Sequence, residues 1–319
     1  MTNTLDKDRP LSKNDVYLIT GACGFIGSSV ARRLHAEGYL IRIADVNPLP
    51  APAAELCTEF LQGDLCDPTF CDAITKHVHT VLHFAANMGG MGTIHEANGP
   101  RLYRDNHTMT INLLESAVRA GVQRLLYASS ACVYPAHLQG GHDDGDVQLR
   151  EENVWSGNPS PQGLYGLEKL EGEMLIGQYT SQLSVRIARL HNVFGPGGSW
   201  HDGREKVPAA LARKGVVLKK LATSTSSPSP STFEIWGDGS QRRSFLYIDD
   251  CVEGLLLLLD AEYTEPVNIG SDRSIDIKSL ADMALRAAGV DPSSVAFRYD
   301  TSKPIGVQSR NSHNERVQK

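Results

Sequence analysis

Apolar positions along this chain fall into two alternating rhythms. Val16 to Thr20 is a short apolar run that predicts a buried strand, Phe25 to Glu37 has helical spacing, and Leu40 to Asp45 predicts a second strand. Strand, helix and strand form a crossover unit, which implies parallel pairing. The rhythm then repeats. Thr80 to Phe84 reads as a strand, Asn112 to Ala120 as a helix and Arg124 to Ala128 as a strand. A helix from Tyr165 to Tyr179 and a strand from Val185 to Arg189 follow. This alternation predicts an α/β fold, a Rossmann-type doubly wound parallel sheet.

From His191 the pattern loosens into Gly-, Pro- and Ser-rich stretches, with helices expected at Val207 to Lys214, Asp249 to Leu259 and Ile277 to Ala288. We expect a smaller C-terminal substrate-binding domain over the carboxyl edge of the sheet. The expected boundaries are 15–190 for the Rossmann domain, with 241–262 packing back on it. Residues 191–240 and 263–319 would form the substrate-binding domain. The tract ATSTSSPSPST within Gly215 to Thr232 has too little apolar surface to order itself and predicts a mobile surface insertion.

Composition narrows the function classes. With 41% hydrophobic and 21% charged residues among 319, the chain resembles neither a disordered tail nor a coiled coil. A formal net charge of -6 offers no broad basic surface, so no nucleic-acid partner is expected. The longest apolar run, Leu255 to Leu259, is far short of the roughly 20 residues that span a bilayer. The first residues lack a signal-peptide apolar core, which makes a cytoplasmic protein with no membrane partner the expectation. Six cysteines without a C-x-x-C pair or His-rich spacing point to free thiols rather than a metal site or a disulfide framework.

Candidate chemistry lies where strands end. Gly21, Gly24 and Gly27 fall between the first strand and first helix. There glycines admit a pyrophosphate and the helix N-terminus offers unpaired N–H donors. Asp45 ends the second strand. Its carboxylate either accepts the ribose hydroxyls of NAD, repelling the 2′-phosphate of NADP, or caps the strand end. Tyr165 and Lys169, spaced i to i+4, share a helix face on which the ammonium can depress the phenol's pKa. Ser130 and Cys132 follow the Arg124 strand, and the residues leave Cys132 either a reactive thiol or a small buried hydrophobe. Asn192, Arg204 and Lys206 lie in the looser half, where solvated surface charge is the ordinary explanation. Arg243 and Arg310 could bind phosphates bidentately.

Together GACGFIG, GDL at Gly63, HFAAN at His83, SSACVYP at Ser129 and YGLEK at Tyr165 resemble the extended short-chain dehydrogenase/reductase family, NAD-dependent epimerases and dehydratases of nucleotide sugars. Within it, MGGMG at Met88, RLHNVFGPGGSWHDGREKVPAA, FEIWGDGSQRRSF, IDDCVEGLLLL and EPVNIGSD are similar to the GDP-mannose 3,5-epimerases. Sugar 4,6-dehydratases carry an acidic pair where this chain has Ala131 and Cys132.

The resemblance implies a redox cycle on a GDP-hexose. Tyr165, assisted by Lys169 and Ser130, would deprotonate the carbon-4 hydroxyl while hydride passes to NAD. Cys132 and Lys206 would then exchange protons at carbons 5 and 3, converting GDP-mannose to GDP-L-galactose and GDP-L-gulose. It carries the cofactor site over to Gly21, Gly24, Phe25, Ile26, Gly27, Asp45, Asp64, Leu65 and Ala85, with Tyr165 and Lys169. It carries the substrate site over to Gly89, Gly90, Ser130, Ala131, Cys132, Asn192, Glu205, Lys206, Val207, Lys214, Gln241, Arg243 and Arg310. It also implies a homodimer, and a C-terminal domain shorter here than in relatives that continue beyond the position of Lys319. His313 stands where relatives have an acid. The alternatives are an epimerase of a GDP-4-keto-6-deoxy-mannose-type sugar and a catalytically silent NAD-binding partner.

Overall fold

Fourteen strands are described in a computed structural model that covers residues 9–49, 57–88, 98–140, 147–224 and 232–318. They are β1 (Val16–Thr20), β2 (Leu40–Asp45), β3 (Glu59–Gln62), β4 (Thr80–His83), β5 (Arg124–Ser130), β6 (Gln148–Leu149) and β7 (Ser184–Leu190). In the second half follow β8 (Asn192–Phe194), β9 (Thr232–Trp236), β10 (Arg242–Tyr247), β11 (Val267–Ile269), β12 (Ser274–Asp276), β13 (Ala296–Asp300) and β14 (Ser309–Ser312). Seven of them form a parallel sheet in the order β11-β7-β5-β4-β1-β2-β3. The order reverses between β1 and β4, and such a reversal opens a crevice at the carboxyl ends of the strands.

Both faces of this sheet are covered, which is why its central strands read as continuous apolar runs. Tyr17 and Ile19 point to one face and pack with Val30 and Leu34 of the Phe25–Ala36 helix and with Cys251 and Leu255 of the Ile248–Asp260 helix. Leu18, between them, points to the other face. There it joins Cys71 and Ile74 of Pro68–Ile74, Leu113 and Ala117 of Gly99–Ala120, and Ile176 of Gly163–Gly177.

The second half builds a five-stranded sheet, β12-β10-β14-β6 with β8 also on β10 and β6 contributed by the first half, and a β9–β13 pair. The helices Val207–Ser224 and Ile277–Ala287 close over β9 through Leu211, Phe233, Ile235, Ala281 and Leu285. The halves interlock. The Ile248–Asp260 helix lies in the core cluster of β1, and β11, from the 263–319 stretch, pairs with β7 at the edge of the large sheet. Among the described residues no helix is long and apolar enough to cross a membrane.

Three differences from the sequence reading have physical causes. The helix expected from Asn112 begins at Gly99, because its first half buries the polar Asn106 and Thr110, which carry no apolar rhythm. The helix expected to end at Lys214 runs on to Ser224, into the stretch expected to be a surface insertion. Gly215 lets it lie against the neighbouring helix, where an added Cβ would stand 3.2 Å from Ala284 O, and Lys219 Nζ donates to Gly289 O at 3.0 Å. The rest of that tract, 225–231, lies outside the described residues. β3, a short edge strand with two exposed and two half-buried residues, and the seven-residue helix after it left no readable pattern.

Candidate active site

The glycine turn sits at the point where the strand order reverses. Gly21 leaves β1 with φ +71, and a Cβ there would stand 2.6 Å from Ala85 N, so the backbone itself forms the floor of the crevice. Gly24 caps the Phe25–Ala36 helix in extended conformation with no side chain over the end. The first-turn N–H groups, those of Phe25, Ile26 and Gly27, are thus left for an anion. Asp45 is the last residue of β2, Asp64 and Leu65 follow β3, and Ala85 follows β4, so the expected cofactor residues from Gly21 to Ala85 share this edge.

Asp45 has a structural task as well. Its Oδ2 accepts from Cys23 N of the glycine turn at 2.9 Å, and its Oδ1 from Asn47 N at 2.9 Å. Each carboxylate oxygen has two lone-pair sites, so the clasp on the turn leaves capacity for a ribose hydroxyl. The residues present therefore fit a dinucleotide.

A cavity of about 270 Å³ opens beside this edge, between the large sheet and the second half. Tyr165 enters it from the Gly163–Gly177 helix, and Ser130 and Cys132 from the end of β5 and the short 3-10 turn Ala131–Val133. Lys169 stays behind the wall, buried. Its Nζ donates to Tyr127 Oη at 3.4 Å, lies 3.6 Å from Glu168 Oε1 and is 5.9 Å from the Tyr165 ring centre. The expected depression of the Tyr165 pKa is not what this arrangement gives. Burial raises it, the neighbouring Cys132 and Glu168 raise it further, and the Ser130 hydrogen bond and Arg310 offset only part. The Lys169 charge is shared with Glu168, whose own pKa burial pushes up against the pull of Lys169 and Asn106.

Cys132 is the opposite case. Burial alone would raise its pKa, yet Arg310, the Ser130 hydroxyl and Lys206 bring it below the usual thiol value. Arg310 Nη1 points at Sγ from 3.5 Å, and Ser130 Oγ accepts from Cys132 N at 3.2 Å. Lys206, just ahead of the Val207–Ser224 helix, has its pKa lowered by burial, with Cys132 opposing and Arg310 adding to the shift. Cation and thiol thus depend on one another for their charges.

The remaining expected substrate residues line the same cavity, apart from Gly89 and Gly90, which lie outside the described residues. Asn192 Nδ2 donates to Ser244 O at 3.2 Å, Glu205 accepts from Gly203 N at 2.7 Å, and Lys214 Nζ donates to Glu234 O at 2.9 Å. Arg243 is spent on main-chain carbonyls, those of Arg242, Ile305, Val307 and Gln308, and so fixes the segment that closes one side. Burial, with Arg310 adding to it, lowers its pKa to about 9. Gln241 is buried with both ends of its amide unpartnered, a donor and an acceptor ready for a ligand. Sequence reasoning missed Gln162 and Glu234, which also line the cavity, because neither type announces a site without its neighbours. Among the described residues no group of three or more His, Cys, Asp or Glu could hold a metal ion.

Comparison with known proteins agrees with this geometry. Residues 17–270 match the NAD dependent epimerase/dehydratase family. GDP-mannose 3,5-epimerase 1 of Oryza sativa subsp. indica is 40% identical over 299 residues, 93% of this chain and 74% of that protein. GDP-mannose 3,5-epimerase of Arabidopsis thaliana is 39% identical over 309 residues, 96% of this chain and 77% of that protein. Among solved structures, MoeE5 in complex with UDP-glucuronic acid and NAD superposes with a TM-score of 0.75 at 28% identity, covering 96% of this chain and 91% of its own. UDP-glucose 4-epimerase from Thermotoga maritima has the same fold, with a TM-score of 0.79 at 21% identity over 95% of this chain and 91% of its own. A match that takes in the whole parallel sheet, joined to a glycine turn built for NAD, leads to one assignment: the chain is an enzyme of the NAD-dependent epimerase/dehydratase family.

Proposed function

We propose that this enzyme is an isomerase of a nucleotide sugar, converting GDP-mannose to GDP-L-galactose, with GDP-L-gulose as the product of inversion at carbon 5 alone. The observation that carries this reading is the pairing of an acidified Cys132 thiol with a half-buried Lys206 in the cavity that also receives Tyr165. An enzyme that inverts only carbon 4 needs no such acid–base pair. A dehydratase needs an acid where Ala131 and Cys132 stand.

NAD, when bound, supplies the hydride acceptor and donor that turn carbon 4 into a ketone and back into an alcohol. Tyr165 takes the proton of the carbon-4 hydroxyl and later returns it, with Ser130 hydrogen-bonded to the phenol. The ketone makes the C–H bonds at carbons 3 and 5 acidic. Cys132, held toward its thiolate, removes such a proton, and the electron pair moves onto the carbonyl oxygen as an enolate. Lys206, whose lowered pKa eases donation, protonates the carbon from the opposite face, which inverts it. The unpartnered amide of Gln241 offers the substrate a donor and an acceptor, and Asn192 and Lys214 line the same cavity. That the substrate carries guanosine and mannose rests on the likeness to the plant enzymes.

The test is proton NMR of GDP-mannose with the protein and NAD in heavy water. Deuterium at carbons 3 and 5 is expected with the wild type and absent with Cys132→Ala, which still binds NAD. Undiminished exchange in Cys132→Ala would overturn the role of the thiol. No exchange by NAD-loaded wild type would overturn GDP-mannose as the substrate, and a GDP-4-keto-6-deoxy sugar would be tried next.

A further inference from the structure

Gln139 closes the short turn Ala136–Gln139, is fully buried and does not line the cavity. Its Nε2 donates to Tyr134 O at 3.1 Å and Pro135 O at 3.2 Å, so the amide is pinned with Oε1 facing the other way. That oxygen accepts from Arg310 Nε at 2.6 Å. On another edge of the same guanidinium, Gln162 Oε1 accepts from Nη2 at 2.7 Å. A guanidinium is a rigid planar fork. With Nε and Nη2 both fixed, Nη1 has one direction left, and it points to Cys132 Sγ at 3.5 Å. The main-chain oxygen of Gln139 also accepts from Gln308 N at 3.0 Å, steadying the approach to β14.

We propose that Gln139 is a positioning residue that aims Arg310 at the Cys132 sulfur, setting the reactivity of the thiol from behind the cavity wall. Its catalytic meaning rests on the proton-exchange function proposed for Cys132; the geometry does not. Both clamping groups are neutral amides, and this matters physically. A carboxylate at either place would hold the guanidinium at least as firmly but cancel much of its charge, whereas an amide oxygen orients the cation and leaves its field for the sulfur. The charged or titratable groups around Cys132 come from four elements: Arg310 on β14, Arg243 on β10, Lys206 ahead of the Val207–Ser224 helix, and Tyr165 on the Gly163–Gly177 helix.

The experiment is the pH dependence of iodoacetamide alkylation of Cys132 in the NAD-loaded, full-length protein, read by mass spectrometry of the peptide that carries it. The other five thiols are pushed up, burial being the largest cause for each, and react late. Gln139→Glu, which keeps the side-chain shape, is expected to raise the midpoint by about one pH unit, slowing alkylation roughly tenfold below it. Gln139→Met should move it the same way, by less. Should either fail to bind NAD, Gln139→Asn, which stays neutral and withdraws the amide oxygen from Arg310 Nε, carries an expected shift in the same direction. A wild-type midpoint in the folded variants would overturn the proposal. The midpoint does not depend on which sugar enters. A shifted midpoint in a protein that exchanges no deuterium therefore sinks only the epimerase reading, and an unshifted one in a protein that does exchange sinks only the role of Gln139.

Discussion

Gly21→Ala separates two costs that a glycine substitution usually mixes. Gly38, in the turn after the first helix, has φ +85 and open space around the place a Cβ would take. Gly38→Ala should therefore lose only the left-handed backbone penalty of an L-residue, roughly 1 kcal/mol. Gly21 has a similar φ of +71, but its Cβ would stand 2.6 Å from Ala85 N, 2.7 Å from Ala85 Cα and 2.8 Å from Phe84 C. These are backbone atoms just past the end of β4, and they cannot swing aside as a side chain would. Forcing them apart adds an overpacking cost of about 1–3 kcal/mol, for a total of roughly 2–4 kcal/mol. The strain falls on the strands that border the pyrophosphate crevice, so NAD affinity should drop in Gly21→Ala and hold in Gly38→Ala. Urea unfolding of both variants, with NAD binding followed by fluorescence, measures the difference. Equal losses of stability, within about 0.5 kcal/mol, would refute the close-approach argument.

Two further predictions concern buried charge. Burial lowers His83 and His191 to about 3, with Lys169 adding to the first shift and Arg310 to the second. Because both folded values lie below the ordinary 6.5, the unfolded chain takes up protons first. The stability these groups contribute is thus present above pH 6.5 and lost as the pH falls toward 3, with a loss of roughly 3 kcal/mol for each by pH 4.5. In a pH series of urea midpoints His191→Gln should flatten that fall, and an unchanged slope would count against its neutral state. Glu173 binds Arg189 through two nitrogens, at 2.9 and 2.7 Å, with both side chains almost wholly buried. Glu173→Leu strands the cation and should cost about 3–5 kcal/mol in the same assay, whereas a loss below about 1 kcal/mol would mean that the guanidinium finds other partners.

The parallel sheet was largely legible because its central strands are apolar on both faces and each helix repeats at its own period. Apolar rhythm could not register β3, which is short and half exposed, or β11, three buried residues delivered from far down the chain. Nor could it register the first half of the Gly99–Ala120 helix, whose buried face carries Asn106 and Thr110. At the site, Tyr165, Cys132 and Lys206 belong to residue types that suggest chemistry, and the fold brings all three to one cavity. Gln139 and Gln162 could not be found in that way. An amide acquires a function only from what lies beside it, and Arg310 comes beside Gln139 from 171 residues away. The expected Lys169 effect on Tyr165 was outweighed for a related reason, since helical spacing said nothing about the burial of the phenol or about Cys132 and Glu168 beside it.

The strand that carries Arg310 has a consequence in time. β14 slots in parallel beside β10 and beside β6, so its docking is a non-local event of high sequence separation. Cys132 leaves the ribosome 178 residues ahead of the guanidinium that acidifies it. Until β14 is seated, the thiol has the ordinary acidity of an unfolded cysteine, near 8.5, and reacts slowly with oxidants or electrophiles. The acidity of this thiol thus reports whether β14 has docked, which makes its reactivity a readout of that one distant contact.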